Sequence, residues 1–204
     1  ESFYGARDVY WLSHIINAEA TRLQALIMFI RVLGEEEQAL AWSGTTPFKD
    51  IEKGSQAEHY VGYAYEKGYT NGYTATSFKP AGAVNAYQYT EFVLRAMGYS
   101  SAANKDLSDT LLRAVNAGVL TDGDAAMLQS AAFLRAQLVY ISYYALEADL
   151  PDGSQSLADR LMDLGVFIGS DHAHDAGGRQ RELQMLVQHP VAERLRHVVR
   201  LDHH

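Results

Sequence analysis

The side chains best equipped for chemistry in this sequence gather in two places: histidines and acids near the C-terminus, and tyrosines in the middle. "SDHAHD", residues 170–175, sets His172 and His174 among carboxylates, with His203 and His204 further on, so donors for a divalent metal are present. Six of the eight histidines follow Gly169. The cluster nevertheless sits beside glycines with no regular element to fix ligand geometry, and it reads as a disordered or appended tail with no metal site. In the middle, "HYVGYAYEKGYTNGYTATSFKP", residues 59–80, carries Tyr63, Tyr69 and Tyr73 beside the turn signals Gly68 and Asn71-Gly72, a setting that suits half-wet aromatic surface. Tyr65 and Phe78 read instead as core.

Other chemistries are poorly supplied. With no cysteine, the chain has neither disulfides nor thiolate nucleophiles nor thiolate metal sites. It shows no Ser-His-Asp signature, no GxSxG, no phosphate loop and no HExxH, and no cofactor is expected. The net charge of -8 disfavours nucleic acid and anionic lipid. From Gly169 onward five arginines balance five acids, so that charge rests on residues 1–168. "ALIMFIRVL" is too short to span a bilayer, and no membrane insertion is expected. The chain starts at Glu1 with neither methionine nor a signal-peptide pattern, and it reads as a processed or excised piece.

The elements that must position these residues repeat. "TRLQALIMFIRVLG" from Thr21, "NAYQYTEFVLRAMG" from Asn85 and "LRAQLVYISYYALE" from Leu134 align without a gap, each with glutamine at its fourth position: Gln24, Gln88 and Gln137. Apolar residues at helical spacing make them three equivalent helices. Thr21 and Asn85, with glutamine three residues later, predict capping boxes; Leu134 requires a different cap. A shorter helix recurs between them, in "VGYAYEKGYTNG", "LLRAVNAGVLTDG" and "LADRLMDLGVFIG", with Gly68, Gly118 and Gly165 as stops. Asn71-Gly72 and Asp122-Gly123 read as turns, and "FKDI" and "NKDL" set Asp50 and Asp106 near helix starts.

"PFKDIEKGSQAEHYVGYAYEKGYTNGYTATSFKPAGAVNAYQYTEFVLRAMGY", residues 47–99, resembles the S-layer homology (SLH) repeat: a Phe-x-Asp start, a helix, a glycine loop, Phe-x-Pro, and a second helix opened by a "TRAE"-like motif. The flanking repeats resemble it in degenerate form. The resemblance implies an all-α fold, a pseudo-threefold bundle of helix-loop-helix repeats, with repeats at about 1–47, 48–103 and 104–168, and a linker and short C-terminal helical extension at 169–204. It implies a non-catalytic module that anchors an exported protein to a secondary cell-wall polymer, a pyruvylated or otherwise anionic glycan on peptidoglycan. The location implied is extracellular, in the wall or S-layer of a Gram-positive-type bacterium.

Carried over by position, the "TRAE"-like motif falls on Thr21-Arg22-Leu23-Gln24, Asn85-Ala86-Tyr87-Gln88 and Leu134-Arg135-Ala136-Gln137. The arginine of this motif is similar in role to a clamp on an acidic sugar substituent, which makes Arg22 and Arg135 the leading ligand candidates, with Thr21, Gln24, Gln88, Tyr63, Tyr69 and Tyr73 around them. The middle repeat departs by having Ala86 in the arginine's place, and Gln56 or His59 stands where the family has a tryptophan. The first repeat lacks the glycine loop.

Two other readings compete. "DVYWLSHIINAEA", residues 8–20, faintly resembles the first helix of spore-cortex-lytic cell-wall hydrolases, with Glu19 as general acid, but Thr21-Arg22 follows where that family has glycine-glutamate. The other is a structural or protein-interaction scaffold whose degenerate repeats no longer bind glycan. In the tail, apolar residues on either side of Pro190 form a helical stripe that packs back on the repeats or serves a protein partner or self-association.

Overall fold

The computed structural model describes residues 17–101, 103 and 105–166; the histidine cluster, the stripe around Pro190 and most of "DVYWLSHIINAEA" lie outside them. The described residues form eight helices: α1 (Arg22–Val32), α2 (Glu36–Leu40), α3 (Gln56–Glu66), α4 (Ala86–Met97), α5 (Thr110–Asn116), α6 (Asp122–Ser130), α7 (Arg135–Glu147) and α8 (Leu157–Asp163). Extended pairing among them is limited to isolated bridges, and the fold is all-α. No described helix is long and apolar enough to cross a membrane.

The three aligned stretches are α1, α4 and α7, and each packs on the other two. Their inward faces bury Leu26, Phe29, Ile30, Tyr89, Leu94, Leu138 and Ile141, with Phe29 edge-on to Tyr89 at 6.0 Å between ring centroids. A tyrosine hydroxyl in such a core needs a partner, and that of Tyr89 donates to Ser142 Oγ, which in turn donates to Leu138 O at 2.8 Å. The short helices pack outside this trio in one order: α3 on α1, α5 on α4 and α8 on α7. Each short helix therefore leans on the long helix that precedes it in the chain.

Each of these short helices ends the same way. Gly68, Gly118 and Gly165 take φ of 77°, 73° and 73°, and the next residue's N–H reaches back to Ala64 O, Ala114 O and Leu161 O at 2.8–2.9 Å. That left-handed closure is unfavourable for any residue with a Cβ, which is why glycine recurs there.

Several local expectations change. Asp122-Gly123 is no turn: Thr121 Oγ1 accepts from Asp124 N, Asp124 Oδ2 accepts from Thr121 N, and the resulting capping box starts α6 where the middle repeat has a loop. Asp50 and Asp106 cap no helix. Asp106 accepts from Ser108 N in a turn ahead of α5, and Asp50 holds a distant loop. Phe78 is fully buried, whereas Tyr65 is 43% exposed and lies edge-on against Phe48.

One buried ionic cluster ties α4 to α5. The Glu91 carboxylate, 2% exposed, accepts from Arg95 Nε (2.9 Å), Ser100 Oγ (2.6 Å), Thr110 Oγ1 (3.2 Å) and Arg113 Nη2 (2.8 Å). Four donors satisfy a carboxylate that would otherwise be costly to bury.

Candidate functional site

The loop between α3 and α4 folds over the start of α1. Its shape depends on Asp50, whose carboxylate accepts from Ser77 Oγ (2.7 Å), Phe78 N (2.9 Å) and Lys79 N (2.8 Å). These bonds pin Lys79 at φ 57°, the one described non-glycine residue with positive φ. The loop then runs antiparallel to the cap of α1: Thr21 bridges Ala83, Arg22 N donates to Gly82 O at 2.9 Å, and Val84 N donates to Ala20 O at 3.0 Å.

Arg22, the first residue of α1, is thereby enclosed. It is 3% exposed, its Nε donates to Phe78 O at 2.8 Å, and its guanidinium carbon lies 4.9, 5.6 and 5.8 Å from the ring centroids of Phe78, Phe92 and Tyr73. Among the described residues, no acceptor bonds its terminal nitrogens. Desolvation pulls its pKa down to about 10, with the charges of Tyr73 and Asp50 acting the other way. Tyr73, half exposed, carries Lys79 Nζ 3.5 Å from its ring centroid. The arrangement is a buried cation, an aromatic wall and an exposed cation at the rim.

The other two junctions vary this theme. At the start of α7, Arg135 N donates to Ala18 O at 2.9 Å and Glu19 bridges Leu134, the same register as Gly82 and Ala83 against Arg22 and Thr21. Arg135 is half-buried, and its Nη2 donates to Gln24 Oε1 at 3.1 Å. At the start of α4, no such pairing is found among the described residues. There the capping glutamine also fails: Asn85 Oδ1 accepts from Gln88 N, but Gln88 Oε1 is buried without a partner, while Gln24 and Gln137 accept from Thr21 N and Leu134 N.

Residues 47–85, running from the "PFKD" stretch through the loop to the cap of α4, match the family model of the S-layer homology domain. That stretch is similar to an SLH domain. No curated protein and no solved structure matches the chain. SLH domains are non-catalytic binding modules that mediate cell-wall anchoring, which associates this chain with a bacterial cell surface.

The candidate residues separate. Arg22 and Tyr73 meet at one site, with Thr21 and Gln24 in the cap beside it. Tyr63 and Tyr69 lie elsewhere: Tyr63 is 6% exposed and Tyr69 donates to both oxygens of Glu35 at 2.9 and 3.0 Å. Burial and Glu35 both push their hydroxyl pKa values up. Glu19 is exposed in its bridge to Leu134 rather than seated on an apolar helix, so the desolvated proton donor that a hydrolase needs is not built here.

Lys79 and Trp42 escaped the sequence reading. Lys79 occupies the variable position of Phe-x-Pro, where only the carboxylate of Asp50 reveals the backbone that aims it. Trp42 lies ahead of the SLH domain yet covers α3, its Nε1 donating to Glu66 Oε2 at 2.7 Å and its carbonyl accepting from His59 Nδ1.

Proposed function

We propose that this chain anchors its protein to the bacterial wall by binding a carboxylate-bearing substituent of a secondary cell-wall polymer at the Arg22 site. The observation that carries this reading is the state of Arg22: buried, stacked among three rings, and with terminal nitrogens that no described acceptor bonds. A desolvated guanidinium is costly, and the nearby carboxylate of Asp50 already accepts three hydrogen bonds. A ligand carboxylate would supply the missing countercharge through the planar fork, with Lys79 adding a second, screened attraction at the rim and Tyr73 a face for the sugar ring.

In this reading the three long helices and their short companions are three SLH-type repeats, at about 1–47, 48–103 and 104–168, arranged with pseudo-threefold symmetry. The junction at Ala86 has lost its cation, and the one at Arg135 spends a guanidinium nitrogen on Gln24. One glycan site per chain follows. The net charge of -8 opposes an anionic polymer at long range, so recognition is short-ranged. A Gram-positive-type wall with a pyruvylated polymer is the ligand source that fits.

Co-sedimentation with wall sacculi, before and after chemical removal of the secondary polymer, tests this. Binding is expected to vanish with the polymer, to fall at least about tenfold in Arg22→Met, which keeps the apolar stem, and to fall a few-fold in Lys79→Ala with a flatter salt dependence. Unchanged binding by Arg22→Met would remove the site. No binding to any intact wall would leave a folded scaffold that recognises a protein instead.

A further inference from the structure

Arg22 is walled by three rings, and one of them meets solvent. Phe78 and Phe92 are buried, whereas Tyr73 is 50% exposed. Any ligand that reaches the guanidinium of Arg22, itself buried, therefore has to come in past Tyr73. With the ring where it lies, that way in is closed.

The backbone around Tyr73 is fixed, and its side chain is not. Gly72 takes φ 81° and lies against Phe48, where a Cβ would fall 2.2 Å from the ring. Tyr73 N donates to Ser77 O at 2.7 Å and Thr74 N to the same oxygen at 3.0 Å, which closes a tight turn. The directed contacts of the Tyr73 ring, by contrast, are two cations: the Arg22 guanidinium carbon at 5.8 Å and Lys79 Nζ at 3.5 Å from its centroid. Its hydroxyl makes no hydrogen bond among the described residues. A half-exposed ring without a hydrogen bond changes rotamer readily, and an exposed cation–π contact restrains it weakly. Lys79 is set over that ring from a left-handed backbone that Asp50 holds.

We infer that Tyr73 is the gate of the Arg22 site, clasped shut by Lys79, and that its swing sets the size of the acidic group admitted. A small pendant acid passes the edge of the ring, whereas an acid within a polymer's main chain brings its neighbouring sugars against Tyr73. Tyr73 is then a specificity-determining residue, and Lys79 positions it in addition to offering charge at the rim. The choice of ligand rests on the wall-binding reading, but the gate is a property of the free chain.

Two uncharged arginine-selective dicarbonyls of different size, methylglyoxal and phenylglyoxal, test the gate in the full chain with no wall present. Peptide mass spectrometry follows modification of Arg22, with the exposed Arg31 as internal standard. In the native chain phenylglyoxal should lag methylglyoxal at Arg22 but not at Arg31. Tyr73→Ala should speed phenylglyoxal at Arg22 at least about tenfold and remove the lag, since a closed gate leaves a minor open population. Tyr73→Phe, which keeps the ring, should keep the lag, and Lys79→Met should speed phenylglyoxal about two- to fivefold, the worth of one exposed cation–π contact. An unchanged rate in Tyr73→Ala would overturn the gate. So would an equal gain in Leu161→Ala, which destabilises the core at α8 and would route modification through global unfolding. Sacculi that fail to bind while the dicarbonyls behave as expected would leave the gate standing and remove the wall polymer as its ligand.

Discussion

Asp50 holds Lys79 in a left-handed backbone conformation from 29 residues away, accepting its N–H at 2.8 Å together with Phe78 N and Ser77 Oγ. Desolvation alone would raise the Asp50 pKa, but those donors outweigh it and leave it below the usual carboxylate range. A depressed folded-state pKa gives stability that is present above the unfolded value near 4 and is lost as pH falls through the folded value. Asp50→Asn is therefore expected to cost about 1 kcal/mol at pH 7, solvent exposure keeping the figure small, with the gap to the native chain narrowing as the pH falls below the ordinary carboxylate range. Urea unfolding from pH 7 down through the acid range checks this; a gap that does not narrow as the pH falls would mean the charge is not what holds the loop.

Gly62 lies inside α3, where alanine ordinarily stabilises by about 1 kcal/mol. Here a Cβ would fall 2.1 Å from Trp42 Cη2, so the ring must leave, and with it the bond to Glu66. Gly62→Ala is expected to lower the melting temperature and red-shift tryptophan emission. In a Trp42→Ala background the same change should turn stabilising, because the propensity gain then meets no ring. A destabilising effect in both backgrounds would place the cost in α3 itself.

The long helices, their glycine-stopped companions and the Phe-x-Pro loop were legible because each rests on local signals: period 3.6, a capping pair, or a glycine where the backbone turns left-handed. What escaped was set by contacts between distant residues. Asp50 looks like a helix-start carboxylate from "FKDI", yet its three donors sit 27 to 29 residues later. Asp122-Gly123 carries a turn signal that lost to the capping box of Thr121 and Asp124. Among the six tyrosines and phenylalanines of one stretch the ranking by burial holds for Phe78 and Tyr73 but is reversed for Tyr63, expected at the surface and covered, and Tyr65, expected in the core and open, for reasons that lie in their neighbours. Arg22 was named from its motif, but its enclosure depends on a loop more than 50 residues away.

Glu91 is the point where α4, the connector after it and α5 meet. Replacing it by glutamine deprives Arg95 and Arg113 of their shared carboxylate while keeping the shape of the side chain. The expected loss is about 3 kcal/mol, as for breaking a buried ion pair from one side. Thr110→Ala, which removes one neutral donor to the same carboxylate, should cost about 1 kcal/mol. Denaturant midpoints compare the two directly, and equal losses would show that the charge of Glu91 contributes nothing beyond its hydrogen bonds.

The capping glutamines offer a paired test of how far the middle repeat has diverged. Gln24 Oε1 accepts from Thr21 N and from Arg135 Nη2, both at 3.1 Å, so Gln24→Met removes half a capping box and an inter-repeat bond, a loss of about 1 kcal/mol. Gln88 occupies the same helical position, but its Oε1 is buried with no partner and already bears its desolvation cost. Gln88→Met is therefore expected to be neutral or to stabilise by up to about 1 kcal/mol. Opposite signs for one substitution at two equivalent positions follow from the partners: Gln24 Oε1 accepts two hydrogen bonds and Gln88 Oε1 none. Thermal unfolding of the two variants decides it, and a comparable loss at Gln88 would show that the side chain makes a contact through water that the Ala86 junction retains.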